Sequence, residues 1–228
     1  MRELLTEYGV GEEQQAVLAA MAGPRGGSGW SRAYADVLPA AFQDYLVLED
    51  GASRVMAYEA QRVPALLQTP AYARALAEAD QGRLDADAWE RAVAGTLARQ
   101  QAILGERKPD VHLVIGEAAL HQRVGGQAVM EEQLGLLAGV SGDSGTVTVQ
   151  VLPFEAGAHA AAAIGSFAIL QYSEAPGLGV VHMGGATGGV CLESPADLAA
   201  HARVFEQLRA FALSPAQSAL LLRGLAGA

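Results

Sequence analysis

An α+β fold, with a helical N-terminal half packed against a mostly antiparallel sheet and a C-terminal helix, is what three features of the sequence predict. Apolar residues recur at spacings of three and four through most of residues 30–104, the period of an amphipathic helix. From Pro109 to Leu192 the pattern changes to short apolar or alternating runs bounded by Gly and Pro, as strands are. The order then reads helices, one strand, one helix, four strands, helix. Such segregation argues against the regular alternation of a doubly wound nucleotide fold.

The elements follow in order. Residues 1–22 predict two short helices, Leu4, Leu5 and Tyr8 on one and Val17, Leu18 and Met21 on the next, broken by Gly9 and Gly11. GPRGGSG, Gly23 to Gly29, is a linker. Residues 1–29 therefore form a helical N-terminal segment with its linker, and 30–228 the main domain. From Trp30 to about Tyr58 the spacing predicts helix, with Tyr34, Val37, Leu38, Phe42, Tyr45 and Leu46 inward. Glu49, Ala52, Val55, Met56 and Glu59 continue it after a break near Gly51. Pro64 ends the run. In VPALLQTPAYARAL, Thr69 caps a new helix whose first turn carries Pro70, and a further helix spans roughly Asp85–Leu104. Val111–Ile115 is a strand that leads into a helical turn with Glu117 and Leu120. GGQAVMEEQLGLLAGV is an amphipathic helix, and TVTVQVLPF is a strand stopped by Pro153. SFAILQY, LGVVHMG and GGVCLES supply three more strands before the helix from Ala196 to about Phe211 and the capped SPAQSALLLRGL.

With 228 residues, 51% of them hydrophobic, the chain has enough apolar surface for a large core. Its single cysteine, Cys191, excludes an intramolecular disulfide and a Cys-rich zinc site. The acidic N-terminus lacks the basic region and apolar run of a secretion signal, and no stretch approaches the length of a membrane span. A cytoplasmic protein without membrane attachment is expected. The net charge of -10 repels phosphate backbones and weighs against direct DNA or RNA binding.

No motif announces a cofactor or a metal. GxGxxG after a strand, GxxxxGK[ST], HExxH and GxSxG are all missing, and the glycine pairs in VGGQ and MGGATGG read as turns. His112, Glu117 and His121 could converge at a strand–helix turn, and His159 could meet His182 across strand ends. Neither spacing demonstrates a site. Cys191 pairs with His182 if their strands adjoin, although a buried small hydrophobe is the plainer reading. Glu117, flanked by apolar residues in VIGEAAL, is the best acid or base, or else it satisfies a neighbouring backbone N–H. Glu49 and Glu59, ten residues apart, can return to one face. Tyr45, Tyr58, Tyr72 and Trp89 suit a pocket between helices, whereas Trp30, Phe42, Phe154, Phe167 and Phe205 read as core anchors.

Four stretches taken together carry a family likeness: FQDYLVLEDGASRVMAYEAQRVPALLQTPAYARAL, VIGEAALHQRVGGQAVMEEQLGLL, VTVQVLPFEAGAHAA and ARVFEQLRAFALSPAQS. In this order they resemble the DUF5753 domain that follows an XRE-type helix-turn-helix in antitoxin-like actinobacterial regulators. The likeness covers about residues 28–222. It implies a regulatory domain that binds a small apolar or amphipathic molecule or a protein, a small DUF397-like protein among the partners. The first 22 residues resemble only the end of the DNA-binding domain, so the DNA reader is expected to be missing. Tyr58, Glu59, Gln68, Tyr72 and Arg74 match the family pattern and are the candidate ligand or partner residues. Relatives have Gly where Ala65 stands, Trp near Ser31, Arg near His121, and a Tyr-Val-Glu-like strand where this chain has VVHMGG. These departures fit altered ligand use.

Three readings follow. The first is a regulatory sensor or protein-binding module. The second is a cofactor-free cyclase or isomerase of secondary metabolism, with Glu117, His121 and His182 as catalytic groups. The third is a component of a homo-oligomer, whose sign would be a large apolar interface and no cavity.

Overall fold

The computed structural model describes Thr6, Glu7, Gly9, Gly11 and residues 29–79, 85–141, 145–173, 177–185 and 188–227. The helices expected over residues 1–22 and the linker after them lie for the most part outside the described residues. The elements are α1 (Trp30–Ala33), α2 (Ala40–Gly51), β1 (Arg54–Glu59), α3 (Pro70–Ala79) and α4 (Ala86–Gln100), the last running on into a wider π-helical turn, Gln101–Arg107. Then come β2 (Asp110–Gly116), α5 (Ala118–His121), α6 (Gln127–Ser141), β3 (Val147–Leu152), β4 (Phe167–Gln171), β5 (Gly179–Met183), β6 (Val190–Leu192), α7 (Pro195–Phe211) and α8 (Pro215–Ala226).

The strands form one six-stranded sheet in the order β3-β2-β1-β4-β5-β6. β1 pairs in parallel with β2, and β2 with β3. The β1–β4, β4–β5 and β5–β6 pairs are antiparallel, so the predicted α+β class holds with a mixed sheet. β1 corrects the expectation that helix continues to Tyr58. Val55 and Ala57 face one side of the sheet and Met56 and Tyr58 the other, a period of two that the helical spacing of Ala52, Val55, Met56 and Glu59 concealed. Two parallel neighbours in β2 and β3 require crossovers, and α3–α4 and α5–α6 provide them.

Helices cover both faces of the sheet. On the first face, α2, α3, α6 and α8 bury Tyr45, Leu46, Tyr72, Leu134, Leu137 and Leu222 against Val55, Leu113, Val149 and Val151. On the second, α7 lays Leu198, Phe205 and Leu208 over Met56, Val114, Ile169 and Val181. Local chemistry fixes the helix starts: Asp85 accepts from the Ala88 amide, Ser194 from the Asp197 amide, and Ser214 with Gln217 closes a reciprocal cap at α8. Among the described residues no helix is long and apolar enough to cross a membrane.

The VPALLQTPAYARAL stretch is a corner stitched to its neighbours by side-chain amides. Gln133 of α6, fully buried, accepts from the Thr69 amide at 2.7 Å and donates to the Leu67 carbonyl at 2.7 Å. Gln100 of α4 donates to the carbonyls of Ala65 and Gln68 at 2.7 and 2.9 Å. Gln68 donates to the Val63 carbonyl at 2.8 Å, and the Val63 amide donates to the Tyr72 hydroxyl at 3.1 Å. An irregular segment can be buried only when its backbone groups are paired in this way, and here Pro64 and Pro70 removed two amides that would otherwise need partners.

Candidate functional site

A cavity of about 940 Å³ opens on the first face of the sheet. Its base is formed by Val55, Ala57, Leu113, Ala168 and His182 of the strands, and its walls come from α1 and α2, the Pro64 corner, α3 and α4. The lining is largely apolar, with Trp30, Leu38, Phe42, Leu66 and Leu76 among its larger side chains. Trp30 and Phe42, expected as core anchors, do pack against the core and form cavity wall as well.

At the inner end a polar cluster is closed on itself. Glu49 of α2 is 1% exposed and meets Arg99 of α4 through two parallel bonds: Nε donates to Oε2 at 2.6 Å and Nη2 to Oε1 at 2.7 Å. The Tyr45 hydroxyl donates to the same Oε1 at 2.7 Å. The guanidinium also lies over the rings of Phe42 and Tyr45, at 5.6 and 5.5 Å from their centroids, a cation–π arrangement in a site withdrawn from water. Burial alone would lower the Arg99 pKa, but the charge and hydrogen bonds of Glu49 outweigh it and leave the guanidinium above its ordinary value. Burial and then the Glu49 charge push the Tyr45 hydroxyl well up. The guanidinium and the phenol are thus fixed in one protonation state at neutral pH, which suits a scaffold and not proton transfer.

His182 of β5 packs against Tyr45 with ring centroids 4.3 Å apart and planes tilted by 31°, and lies 6.0 Å from the Phe42 ring. Burial holds its pKa below the ordinary histidine value, the Gly188 hydrogen bond opposing and the Arg99 charge reinforcing the shift. Its Nε2 sits 3.3 Å from the Gly188 carbonyl. A carbonyl only accepts, so the neutral ring carries its proton on Nε2 and leaves Nδ1 as an acceptor. The glycine-rich turn after β5 makes this contact feasible: Gly188 has φ of +114°, and a Cβ there would stand 3.1 Å from Pro39 and Ala41. Only glycine lets this turn close against α2 and complete the cavity wall.

Nearer the mouth, Glu59 at the end of β1 has a side chain only 16% exposed. Its Oε1 is 3.4 Å from Nη2 of Arg62, which is 56% exposed. Gln61, Gln122 and Ser166 add polar groups along the same edge. The Ser166 hydroxyl accepts from the Ala60 amide at 3.0 Å.

The structure separates the candidate residues. Glu59, Gln68 and His182 line the cavity, although the Gln68 amide is committed to the corner. Tyr72 is a fully buried pillar beneath that corner. Tyr58 lies on the other face, near His159 and Phe167 at 5.8 and 6.3 Å. Arg74 is an exposed partner of Glu90, bonded through Nε and Nη2 at 2.7 and 2.8 Å. Glu117 and His121 do meet, at 3.3 Å, outside the cavity lining. The other Glu117 oxygen accepts from the Phe154 amide at 2.8 Å, and His121 stacks on Phe154 at 5.6 Å.

The looser groupings resolve as well. His112 bonds Gln150 at 2.7 Å and packs edge-on against Phe205 beneath α7. His159 and His182 sit on opposite faces of the sheet. Cys191 is the direct cross-strand neighbour of His182, but burial pushes its thiol pKa up, away from the thiolate character of a reactive cysteine. Among the described residues no group of three or more His, Cys, Asp or Glu is placed to hold a metal ion.

Sequence reasoning missed Arg99. Glu49 gave a trace of it, because a carboxylate on the same helical stripe as Tyr45 and Leu46 demands a buried cation. Nothing in the chain order says that Arg99, fifty residues on, supplies that cation.

No curated protein and no solved structure matches the chain. The family model described as a domain of unknown function, DUF5753, matches residues 42–224, a range that holds the whole sheet and the Glu49–Arg99 pair; the chain belongs to the DUF5753 family.

Proposed function

We propose that this chain is a regulatory domain that holds a small amphipathic molecule in the cavity over β1, β4 and β5. One observation carries the reading: a largely apolar space of about 940 Å³, within the size range of ligand sites, ends on an ion pair held rigid by two charge-assisted bonds. A floor of that kind gives a ligand shape and a flat aromatic edge without offering it chemistry. The likeness to antitoxin-like helix-turn-helix regulators supports a role in gene control, exerted through a protein partner such as a small DUF397-like protein. The -10 charge suits a basic partner better than it suits DNA. A ligand can regulate such a partner only by favouring one conformation of the domain over another.

A cofactor-free cyclase or isomerase is the second reading, and the neutral His182 at the cavity wall is the observation in its favour. Of the three catalytic candidates it is the one that reaches the cavity. Native mass spectrometry of the purified chain, before and after denaturation, tests the first reading. A copurified molecule is expected that leaves on denaturation and is absent from Ala77→Trp, which fills the space from α3. Equal occupancy in the two proteins would refute the cavity as its seat, as would failure of the wild type to bind any neutral apolar probe.

A further inference from the structure

The two edges of the sheet are finished differently. At the β3 edge the last four residues of the strand are buried, and both outward groups of Val151 are taken up from the side of α8. The Leu213 amide donates to the Val151 carbonyl at 2.9 Å, and the Val151 amide donates to the Ser218 hydroxyl at 2.9 Å. The β6 edge is left open. None of Val190, Cys191 and Leu192 is buried, Val190 is 51% exposed, and among the described residues the backbone of β6 is paired with β5 alone. An aliphatic edge strand whose outward N–H and C=O groups are free is a template for a further strand, and β6 has neither the proline nor the lysine that commonly guards such an edge.

The surroundings of β6 select the kind of chain that fits it. The charges that act on Cys191, in the middle of the strand, are both negative: Glu193 just after it and Asp44 on α2. Both carboxylates are exposed, and neither is paired with a cation among the described residues. Val47, one turn along α2 from Asp44 and 46% exposed, adds an apolar neighbour on the same side of that helix. We propose that β6 is the docking edge for the protein partner: an extended segment carrying Lys or Arg adds to it as a seventh strand, its backbone bonding the free edge and its cations facing Asp44 and Glu193. This rests on the reading that the domain works through a basic protein partner, and it does not require the cavity to be filled. The edge nonetheless adjoins the cavity wall. Cys191 is the cross-strand neighbour of His182, which lines the cavity. The turn that feeds β6 also touches the chain between α1 and α2, since a Cβ on Gly188 would stand 3.1 Å from Pro39 and from Ala41.

The test uses the full chain and a rhodamine-labelled hexapeptide of alternating arginine and valine, read by fluorescence anisotropy. The peptide is expected to bind and to slow amide hydrogen exchange in residues 190–193. Methylating every backbone nitrogen of the peptide keeps its charge but removes its N–H donors, and should weaken binding by about tenfold or more. The variant Asp44→Lys with Glu193→Lys should weaken the arginine peptide by about tenfold, while binding of the neutral apolar probe N-phenyl-1-naphthylamine in the cavity stays within about twofold of the wild type. Glu131→Lys with Glu132→Lys makes the same change of net charge on α6, which packs on β3 at the far edge of the sheet, and should leave peptide binding within about twofold. Equal binding by the methylated peptide would overturn strand addition. Equal loss in the two double variants would overturn β6 as the place while leaving a basic partner in force, whereas a wild-type chain that does not bind the arginine peptide would overturn both.

Discussion

Replacing Arg99 by Met should be among the most damaging single changes in the chain. Glu49 would keep its 1% exposure and its bond from Tyr45, but it would lose both charge-assisted bonds at 2.6 and 2.7 Å. Each such bond is worth about 1.5–3 kcal/mol, and breaking a buried pair by removing one partner costs about 3–5 kcal/mol. For a chain of this size that corresponds to a fall in melting temperature of about 6–20 °C, measured by circular dichroism with urea titration alongside. The double variant Glu49→Leu with Arg99→Met should recover most of the loss, because an apolar pair of similar volume avoids the desolvation cost altogether. A loss below about 1 kcal/mol for Arg99→Met would show that Glu49 escapes to water or takes up a proton cheaply, and the argument for a rigid floor would fail.

The other expectations are smaller or opposite in sign. Gln133→Leu leaves the Thr69 amide and the Leu67 carbonyl unpaired in a buried corner, and a urea titration should show a loss of about 2–4 kcal/mol. Arg74→Ala should leave both the unfolding midpoint and probe binding unchanged, since its pair with Glu90 is exposed at the surface. Glu117→Gln should leave probe binding unchanged as well; a loss of binding would place Glu117 within reach of the ligand. Burial lowers the pKa of both His112 and His182, so the unfolded chain takes up protons before the native one does. Their contribution is in full above the ordinary histidine pKa of about 6.5 and is lost as pH falls through the lowered native values. The urea midpoint should therefore drop between about pH 7 and pH 5, and a double His112→Gln, His182→Asn variant should flatten that slope. Finally, ligand binding should slow amide hydrogen exchange in residues 30–39 more than in α4.

How far the sequence disclosed this molecule depended on whether its signals were local. Thr69 before Pro70 predicted a helix start, and the Tyr72 amide donates to the Thr69 hydroxyl at 3.3 Å. Ser214 announced α8 in the same way, whereas the Ser194 cap of α7 stands two residues before the expected start at Ala196. β1 was hidden because RVMAYE satisfies both a helical and a strand period, and only pairing with β2 and β4 decides between them. Glu49 and Glu59 do reach a common cavity, as their spacing suggested, but by a turn from α2 into β1 and not along a helix. The Arg99 partner and the faces of Tyr58, His159 and His182 are products of topology, which no spacing encodes. Trp30 and Phe42 show the remaining ambiguity: an aromatic side chain on an apolar stripe looks the same whether it faces a neighbour or an open space.

A rigid floor and a weakly held wall are together what coupling between a ligand and a partner needs. The inner end is tied by Glu49, Arg99 and Tyr45 to two helices at once, and the corner opposite is held by Gln100 and Gln133. The wall formed by α1 and the segment leading to α2 is different. α1 buries none of its residues; Arg91 ties it to α4 through Asp36 and the Ala33 carbonyl at the surface, Tyr34 packs on Arg91 and Gly95, and the segment after it is held by one buried residue, Val37, and by the Gln43 amide. Such a segment opens at low free-energy cost compared with the core. A molecule that spans from Glu59 to Trp30 stabilises the closed wall by its own contacts and has nothing comparable to gain from an open one, which is the differential affinity that a population shift requires. On the proposed reading a partner would sense the ligand through the outer surface of α1, since α2 is held by the Glu49–Arg99 pair.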